Sequence, residues 1–377
     1  MTDMKPLKPF YLDLTDSEIS GLQEELGDIF RRGELILGRN TEAFEAEFAA
    51  YTGAAHAISM NTATSALEVL MVLNGAKGKK VAIQANTNFA SAASIVHAGG
   101  TPIFIDMTAD YFCPDLGILK AAHAKHGFEG VMWVHSGGII VPDFAEVAAW
   151  CRDNDIFLVE DAAHAHGSVL NGKHAGTIAD GGGAYSFFAT KVMTTMEGGM
   201  LVTNNQEHAD LAKSFRNQGK RHAAFGGLHY DMGSSWRISE IAAKMGSVQL
   251  AKLDQMVATR QRAVDIISAR LDQIGVRYCR TDHMDTASQY KFIILIEPPH
   301  DPKAVKEALA AQQIFCGGGV YEVPLHQQPV FAPYDFDEAD LTVSTRYCPL
   351  QICPPITSGT TEDDANRIAA ALVDILG

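Results

Sequence analysis

The chain has 377 residues, with Lys+Arg 30 against Asp+Glu 45, a formal net charge of −15 and 47% hydrophobic content. At about 100–200 residues per domain this is room for about two domains, and nearly half the residues can be buried, which excludes a disordered chain. The acidic balance argues against nucleic acid or another polyanion as partner, so a phosphorylated ligand has to be held locally by backbone amides and hydroxyls.

The opening residues, Met1 to Pro6, lack the apolar stretch of a signal peptide, and no apolar run approaches the ~20 residues of a membrane span. The six cysteines (Cys113, Cys151, Cys279, Cys316, Cys348, Cys353) contain no CxxC pair and read as reduced core thiols. These features lead to the expectation of a cytoplasmic α/β protein with no membrane contact and no metal.

In chain order, short apolar runs at 57–60, 80–84, 102–106, 131–134 and 156–159 read as buried strands, and 184–188 and 200–203 continue the same sheet. Helical stretches lie between them. In 143–154, for example, Phe144, Val147, Ala148 and Trp150 fall on one face. Such alternation implies a mostly parallel sheet covered on both sides. From 237 to 271 the pattern is one long helical segment, with Gly246 as its weak point. Beyond it, 290–296 reads as a strand and 303–313 as a helix. Thr360 to Asp363 resembles a capping box that opens a last helix ending near Leu376. The expected division is a large α/β domain over 1–245 and a smaller α+β domain over 246–377.

In an open α/β sheet, ligands bind at the carboxyl ends of the strands, so the polar residues that follow apolar runs matter most. Glu160-Asp161-Ala162-Ala163-His164-Ala165-His166-Gly167 places two acids and two histidines there. Asp161 can pair with a positively charged ring nitrogen, though either acid reads equally well as a cap on the next turn. Lys191 follows an aromatic run, with Val192 and Met193 beside it. A desolvated lysine becomes a nucleophile toward carbonyls, whereas a solvated loop lysine has no such role. Asn61 to Leu67, after the first strand, is rich in small and hydroxyl residues that open a helix. That pattern suits an anion or an ordinary N-cap. No GxGxxG or GxxxxGK[ST] with strand–helix context is present, which counts against nicotinamide and P-loop enzymes. Taken together, an anion cradle, an acid and a lysine are what pyridoxal phosphate requires.

The ordered pieces Glu160 to Gly167, Tyr185-Ser186-Phe187, Lys191 and Glu197-Gly198-Gly199 resemble the DegT/StrS family of pyridoxal-phosphate-dependent sugar aminotransferases, within the fold-type I aspartate aminotransferase superfamily. The likeness runs from Phe44 to the final helix. It implies a large domain with a mostly parallel seven-stranded sheet, flanked by helices, and a smaller C-terminal α+β domain. It also implies that Lys191 forms the Schiff base and shuttles a proton, while Asp161 pairs with the pyridine nitrogen. Ala63, Thr64 and Ser186 would hold the phosphate, Phe89 would stack on the ring and His164 would sit beside its 3′-oxygen. Ser235 takes the place of an Asn that reaches the neighbouring subunit's phosphate. Arg237, Tyr321 and His326 would contact substrate.

Departures from the family pattern are His164 for Gln, Ala63 for Gly, Met196 for Gly, Ser235 for Asn, and the Cys348 to Pro354 run. Relatives that dehydrate keto-sugars carry His at the Schiff-base position; Lys191 here implies amino transfer. The resemblance thus implies an amino group moved from glutamate or glutamine to a keto-sugar, nucleotide-linked, by a homodimer with sites between subunits. A keto-cyclitol or aminoshikimate-type acceptor, or a non-catalytic regulatory role on the same fold, stays open at this stage.

Overall fold

A computed structural model describes residues 5–221, 226–334 and 336–377. In chain order its strands begin with β1 (His56–Met60), β2 (Lys80–Gln84), β3 (Thr101–Ile105), β4 (Gly130–Val134) and β5 (Phe157–Asp161). A small hairpin, β6 (Val169–Leu170) and β7 (Lys173–His174), precedes β8 (Gly183–Ser186) and β9 (Gly199–Thr203). All seven expected strands enter one sheet, in the order β1-β9-β8-β5-β4-β2-β3. Neighbours from β3 across to β8 pair in parallel, and β9 alone runs against both β8 and β1. The architecture is α/β with a mostly parallel seven-stranded sheet, as expected.

These strands are continuously apolar because both faces of the sheet are covered. Side chains alternate between the two layers. Ala82, Val131, Trp133, Leu158 and Val202 pack into one core, and Val81, Ile83, Met132, Val159 and Leu201 into the other. β8 ends at Ser186 rather than reaching 188, because Phe187 leaves the ladder to anchor a loop. Its carbonyl accepts the Thr195 amide at 3.0 Å and the Thr194 hydroxyl at 3.0 Å.

The segment expected as one helix over 237–271 is two, Glu240–Leu250 and Leu253–Ile274, broken at Ala251 and Lys252. Gly246 does not break it. A Cβ there would come 2.5 Å from the buried Phe44 ring, so the glycine lets two helices approach. The second helix joins the two halves of the molecule. Leu253, Met256 and Val257 pack into the sheet's core, whereas Ala263, Val264, Ile267 and Leu271 pack with the C-terminal third. We place the division between the two units within this helix.

In the C-terminal third, the strand expected over 290–296 narrows to β10 (Ile294–Leu295), antiparallel to β11 (Gln351–Ile352). Its alternation persists beyond the ladder: Phe292, Ile294 and Ile296 face one cluster, Ile293 and Leu295 another. Gln289 has φ 48°, which turns the chain out of extended geometry before Tyr290. The terminal helix Glu362–Leu376 is capped one residue later than expected, by Thr361 and Asp364; the Thr360 hydroxyl instead accepts the Thr357 amide at 2.8 Å. The start of the chain crosses to this unit. Leu7 lies in its core, its amide donating to the Gln313 carbonyl at 2.8 Å. This proline-broken start of the chain has no regular periodicity to announce that partner. The six cysteines are free, and among the described residues no helix is long and apolar enough to cross a membrane.

Two glycine-to-alanine substitutions test this reading of the helices. Gly246→Ala is expected to destabilise the protein by about 1–2 kcal/mol net, overpacking against Phe44 outweighing the gain in helix propensity. Gly21→Ala, in the exposed helix Asp16–Arg32 with nothing within 4 Å of its Cβ, should instead stabilise by about 0.5–1 kcal/mol. Guanidinium unfolding midpoints of the two variants check both signs.

Candidate active site

A cavity of about 210 Å³ opens at the carboxyl ends of β1, β2, β4, β5 and β8, where an open α/β sheet holds its ligands. Most of the wall comes from residues that follow a strand, with Glu197 and Gly198 ahead of β9 and Tyr321 from the C-terminal third completing it. After β1, the helix Ala63–Leu73 begins, with the Thr62 hydroxyl accepting the Ser65 amide at 3.1 Å. That cap leaves the first amides, those of Ala63 and Thr64, without intrahelical acceptors and pointing at the cavity end. Gly199 is needed here, since a Cβ would collide with the Thr62 carbonyl and the Ala63 amide. Ser186, at the end of β8, brings a buried hydroxyl to the same cavity.

The two acids at the end of β5 separate by strand alternation. Glu160 points away from the cavity and is wholly buried. Its carboxylate accepts amides of Gly176 at 2.6 Å, Ile178 at 2.7 Å and Ala179 at 2.6 Å, and meets His135 Nε2 at 2.8 Å. Glu160 is therefore the turn cap. Asp161 points into the cavity, its carboxylate accepting the Ser91 hydroxyl at 2.7 Å and the Ala163 amide at 3.0 Å. Burial raises the Asp161 carboxyl above its ordinary range, opposed by those two donors and by Lys191. A cation placed against it would draw it back to the anion.

Lys191 lies in the loop between β8 and β9 and lines the same cavity. Its Nζ sits 4.6 Å from the centroid of the Tyr290 ring. Burial lowers its pKa, against the pull of Tyr290 and Asp161, which raises the share of neutral, nucleophilic amine. Burial alone would raise the Tyr290 phenol, but Lys191 and Lys291 bring it below its ordinary value.

His164 lies against Tyr290, ring centroids 4.5 Å apart, and its Nδ1 accepts the Gly137 amide at 3.3 Å. Burial, reinforced by Lys191 and Lys291, pushes its pKa well below the usual value. The neutral ring then carries its proton on Nε2, directed at the Tyr321 hydroxyl 3.2 Å away. Tyr321 also lines the cavity.

The cavity thus gathers Ala63, Thr64, Asp161, His164, Ser186, Lys191 and Tyr321 from four parts of the sequence. Phe89 opens the helix Phe89–His97 beside it, but its half-exposed ring rests on Phe331 at 5.9 Å and does not line the wall. His326 is buried elsewhere, its Nε2 3.0 Å from the Thr345 hydroxyl. Ser235 and Arg237 also lie off the cavity, on a surface segment where Arg237 donates to the Ser235 hydroxyl and to Asn217 Oδ1. Sequence reasoning missed Ser91, two residues into a helix with only the look of an N-terminal turn. It also missed Tyr290, a hundred residues from Lys191.

Among known proteins, residues 17–373 match the DegT/DnrJ/EryC1/StrS aminotransferase family. The chain is 28% identical to the spore coat polysaccharide biosynthesis protein SpsC of Bacillus subtilis, covering 94% of each. It is 29% identical to the GDP-perosamine synthase of Caulobacter vibrioides over 90% of this chain and 91% of that one. Its fold is similar to that of the putative sugar aminotransferase Spr1654 of Streptococcus pneumoniae in its PLP form. The TM-score is 0.88 at 24% identity, with 98% of each chain covered.

His166, behind the cavity and 1% exposed between Tyr185 and Phe187, supplies a pH test. Burial takes its pKa from 6.5 down to about 3, so the unfolded chain takes up the proton first. The stability this histidine contributes is whole above pH 6.5 and is lost as pH falls toward 3. Its share of that loss between pH 6.5 and 5 is about 2 kcal/mol. A His166→Gln variant should show a correspondingly flatter acid limb when unfolding midpoints are compared at pH 7 and pH 5.

Proposed function

The chain belongs to the DegT/DnrJ/EryC1/StrS aminotransferase family, and from that premise we propose that it aminates a nucleotide-linked keto-sugar, taking the amino group from glutamate or glutamine with pyridoxal phosphate as cofactor. The observation that carries this reading is the meeting of Lys191 and Asp161 in one cavity whose wall also carries a helix N-terminus. Those are the groups the cofactor's aldehyde, ring nitrogen and phosphate require, and the residues present fit it. The names of the SpsC and GDP-perosamine synthase relatives support a role in the making of amino sugars.

When bound, pyridoxal phosphate supplies a carbonyl that accepts amino groups and a ring that spreads the electron pair left by a lost proton. The chain's own residues do the rest. The amides of Ala63 and Thr64, with the Ser186 hydroxyl, would hold the cofactor's phosphate without any basic surface. Asp161, kept in place by Ser91 and Ala163, would pair with a protonated ring nitrogen. Lys191, its pKa lowered by burial, would supply the amine that holds the cofactor's carbonyl and the base that moves a proton at the reacting carbon. His164, neutral and hydrogen-bonded to Tyr321, and the Tyr321 hydroxyl would stand as uncharged polar groups beside the cofactor.

Ser235 and Arg237 lie off their own cavity, so the role the resemblance gives them would be served from another copy of the chain. That supports a homodimer with sites between subunits. The exposed apolar side chains Leu228, Tyr230 and Met232 on the same segment favour burial there as well. The free cysteines suit a cytoplasmic setting.

The test is amino transfer from glutamate to a panel of nucleotide-linked keto-sugars, with products read by mass spectrometry. Lys191→Ala should lower the rate at least about a hundredfold while leaving thermal unfolding near the parent value. Full activity in that variant would overturn the mechanism.

A further inference from the structure

A second cavity, about 270 Å³ in volume, adjoins the first and shares His164 and Tyr321 with it. Arg260, Lys291, Thr190 and Tyr290 form its polar wall, and Phe10 and Gly318 help close it. No aspartate or glutamate lines it, in a chain with 45 acids against 30 Lys+Arg. Elsewhere cations of comparable burial face carboxylates: Arg216 meets Glu45, and Lys252 meets Asp13 and Glu18. Among the described residues neither Arg260 nor Lys291 has such a partner.

Their remaining donors are available. Arg260 is 5% exposed, and one of its Nη atoms donates to the carbonyls of Gln289 at 3.1 Å and Ile356 at 2.8 Å. Its other Nη makes no hydrogen bond within the described residues. Lys291 Nζ donates to the Gly318 carbonyl at 3.0 Å, which leaves two of its three N–H groups. It also lies 5.4 Å from the centroid of the Tyr290 ring, on which Lys191 stands as well. A Cβ at Gly318 would meet nothing within 4 Å, so the space beside it is open. Burying the Arg260 cation without a counter-ion, with the half-buried Lys291 ammonium beside the same cavity, is unfavourable, and an anion between them removes that cost.

We propose that this cavity is an anion subsite for a carboxylate of the amino donor, with Lys291 and the second Nη of Arg260 as its charge partners. The inference rests on the aminotransferase reading above and adds the donor's place within it. The cavity's size favours the short chain of an amino acid, and its shared wall with the Lys191 cavity puts the donor's other end beside the reacting amine. A phosphate of the acceptor has the same oxyanion chemistry, so the experiment separates the two sources.

The probes are glutarate, a dicarboxylate with no amine to react, and inorganic pyrophosphate, each titrated calorimetrically into the holoenzyme. Lys291→Met should weaken glutarate binding about 10- to 100-fold and leave pyrophosphate unchanged. Lys291→Arg, which keeps the charge, should restore glutarate binding. Loss of pyrophosphate binding alone would overturn the carboxylate assignment in favour of an acceptor phosphate; no change with either probe would overturn the subsite altogether. Arg260 is unsuited as the test position, because it also ties two backbone carbonyls together. Steady-state kinetics separate this inference from the reading beneath it. Amino transfer with an unchanged KM for glutamate in Lys291→Met would sink the subsite and spare the reading. Lys291-dependent glutarate binding in a protein that aminates no keto-sugar would do the opposite.

Discussion

Two adjacent carboxylates at the end of β5, turned to opposite faces of the sheet, hold the rest of the site in place. Strand geometry allows nothing else: successive side chains must point apart. Glu160 spends its charge on three amides of the chain after β7 and on His135 at the end of β4. It ties the end of β4 to the segment that follows β7. Asp161, one residue on, is thereby a fixed acid in the cavity itself, braced by Ser91 from the helix that follows β2. Buried charges of this kind persist only when their hydrogen bonds are satisfied, and both carboxylates meet that condition.

Around Asp161 the local electrostatics run opposite to the molecule as a whole. The chain is acidic, yet Lys191, Lys291 and Arg260 gather near Tyr290, and the first turn of the Ala63 helix adds its positive end. His164 stays neutral under that concentration of positive charge. A neutral imidazole and two phenols thus lie among the cations without adding to their repulsion. Net charge describes the surface that solvent and partners meet; it says little about a cavity whose field comes from a few close groups.

How much of this was legible in the sequence varies with the range of the interaction. The seven strands were, because two-sided burial makes each one a continuous apolar run. Lys191, Asp161, Ser186 and the Ala63–Thr64 turn were candidates because each follows such a run directly. Which acid served as cap was not, since that depends on the face each strand residue presents. The break at Ala251 was misplaced to Gly246, whose lack of a side chain answers to the Phe44 ring and not to helix geometry. Ser91 and Tyr290 carried no local signal at all. Phe89, Ser235, Arg237 and His326 lie outside the cavity wall of their own chain, so a motif position alone did not reveal their surroundings.

By itself the sequence determined the periodic, local things: the strand and helix order, the two-unit size, and the polar residues that end each strand. These follow from side-chain spacing, which is written residue by residue. Only the tertiary structure decided what depends on segments far apart in the chain meeting. It set Tyr290 against Lys191, Ser91 against Asp161 and Tyr321 against His164, and it left Lys291 and Arg260 facing a cavity with no acid. The acidity with which the sequence began therefore marks the outside of the protein. The folding of distant residues beside the strands' carboxyl ends gathered Lys291 and Arg260 at one acid-free cavity.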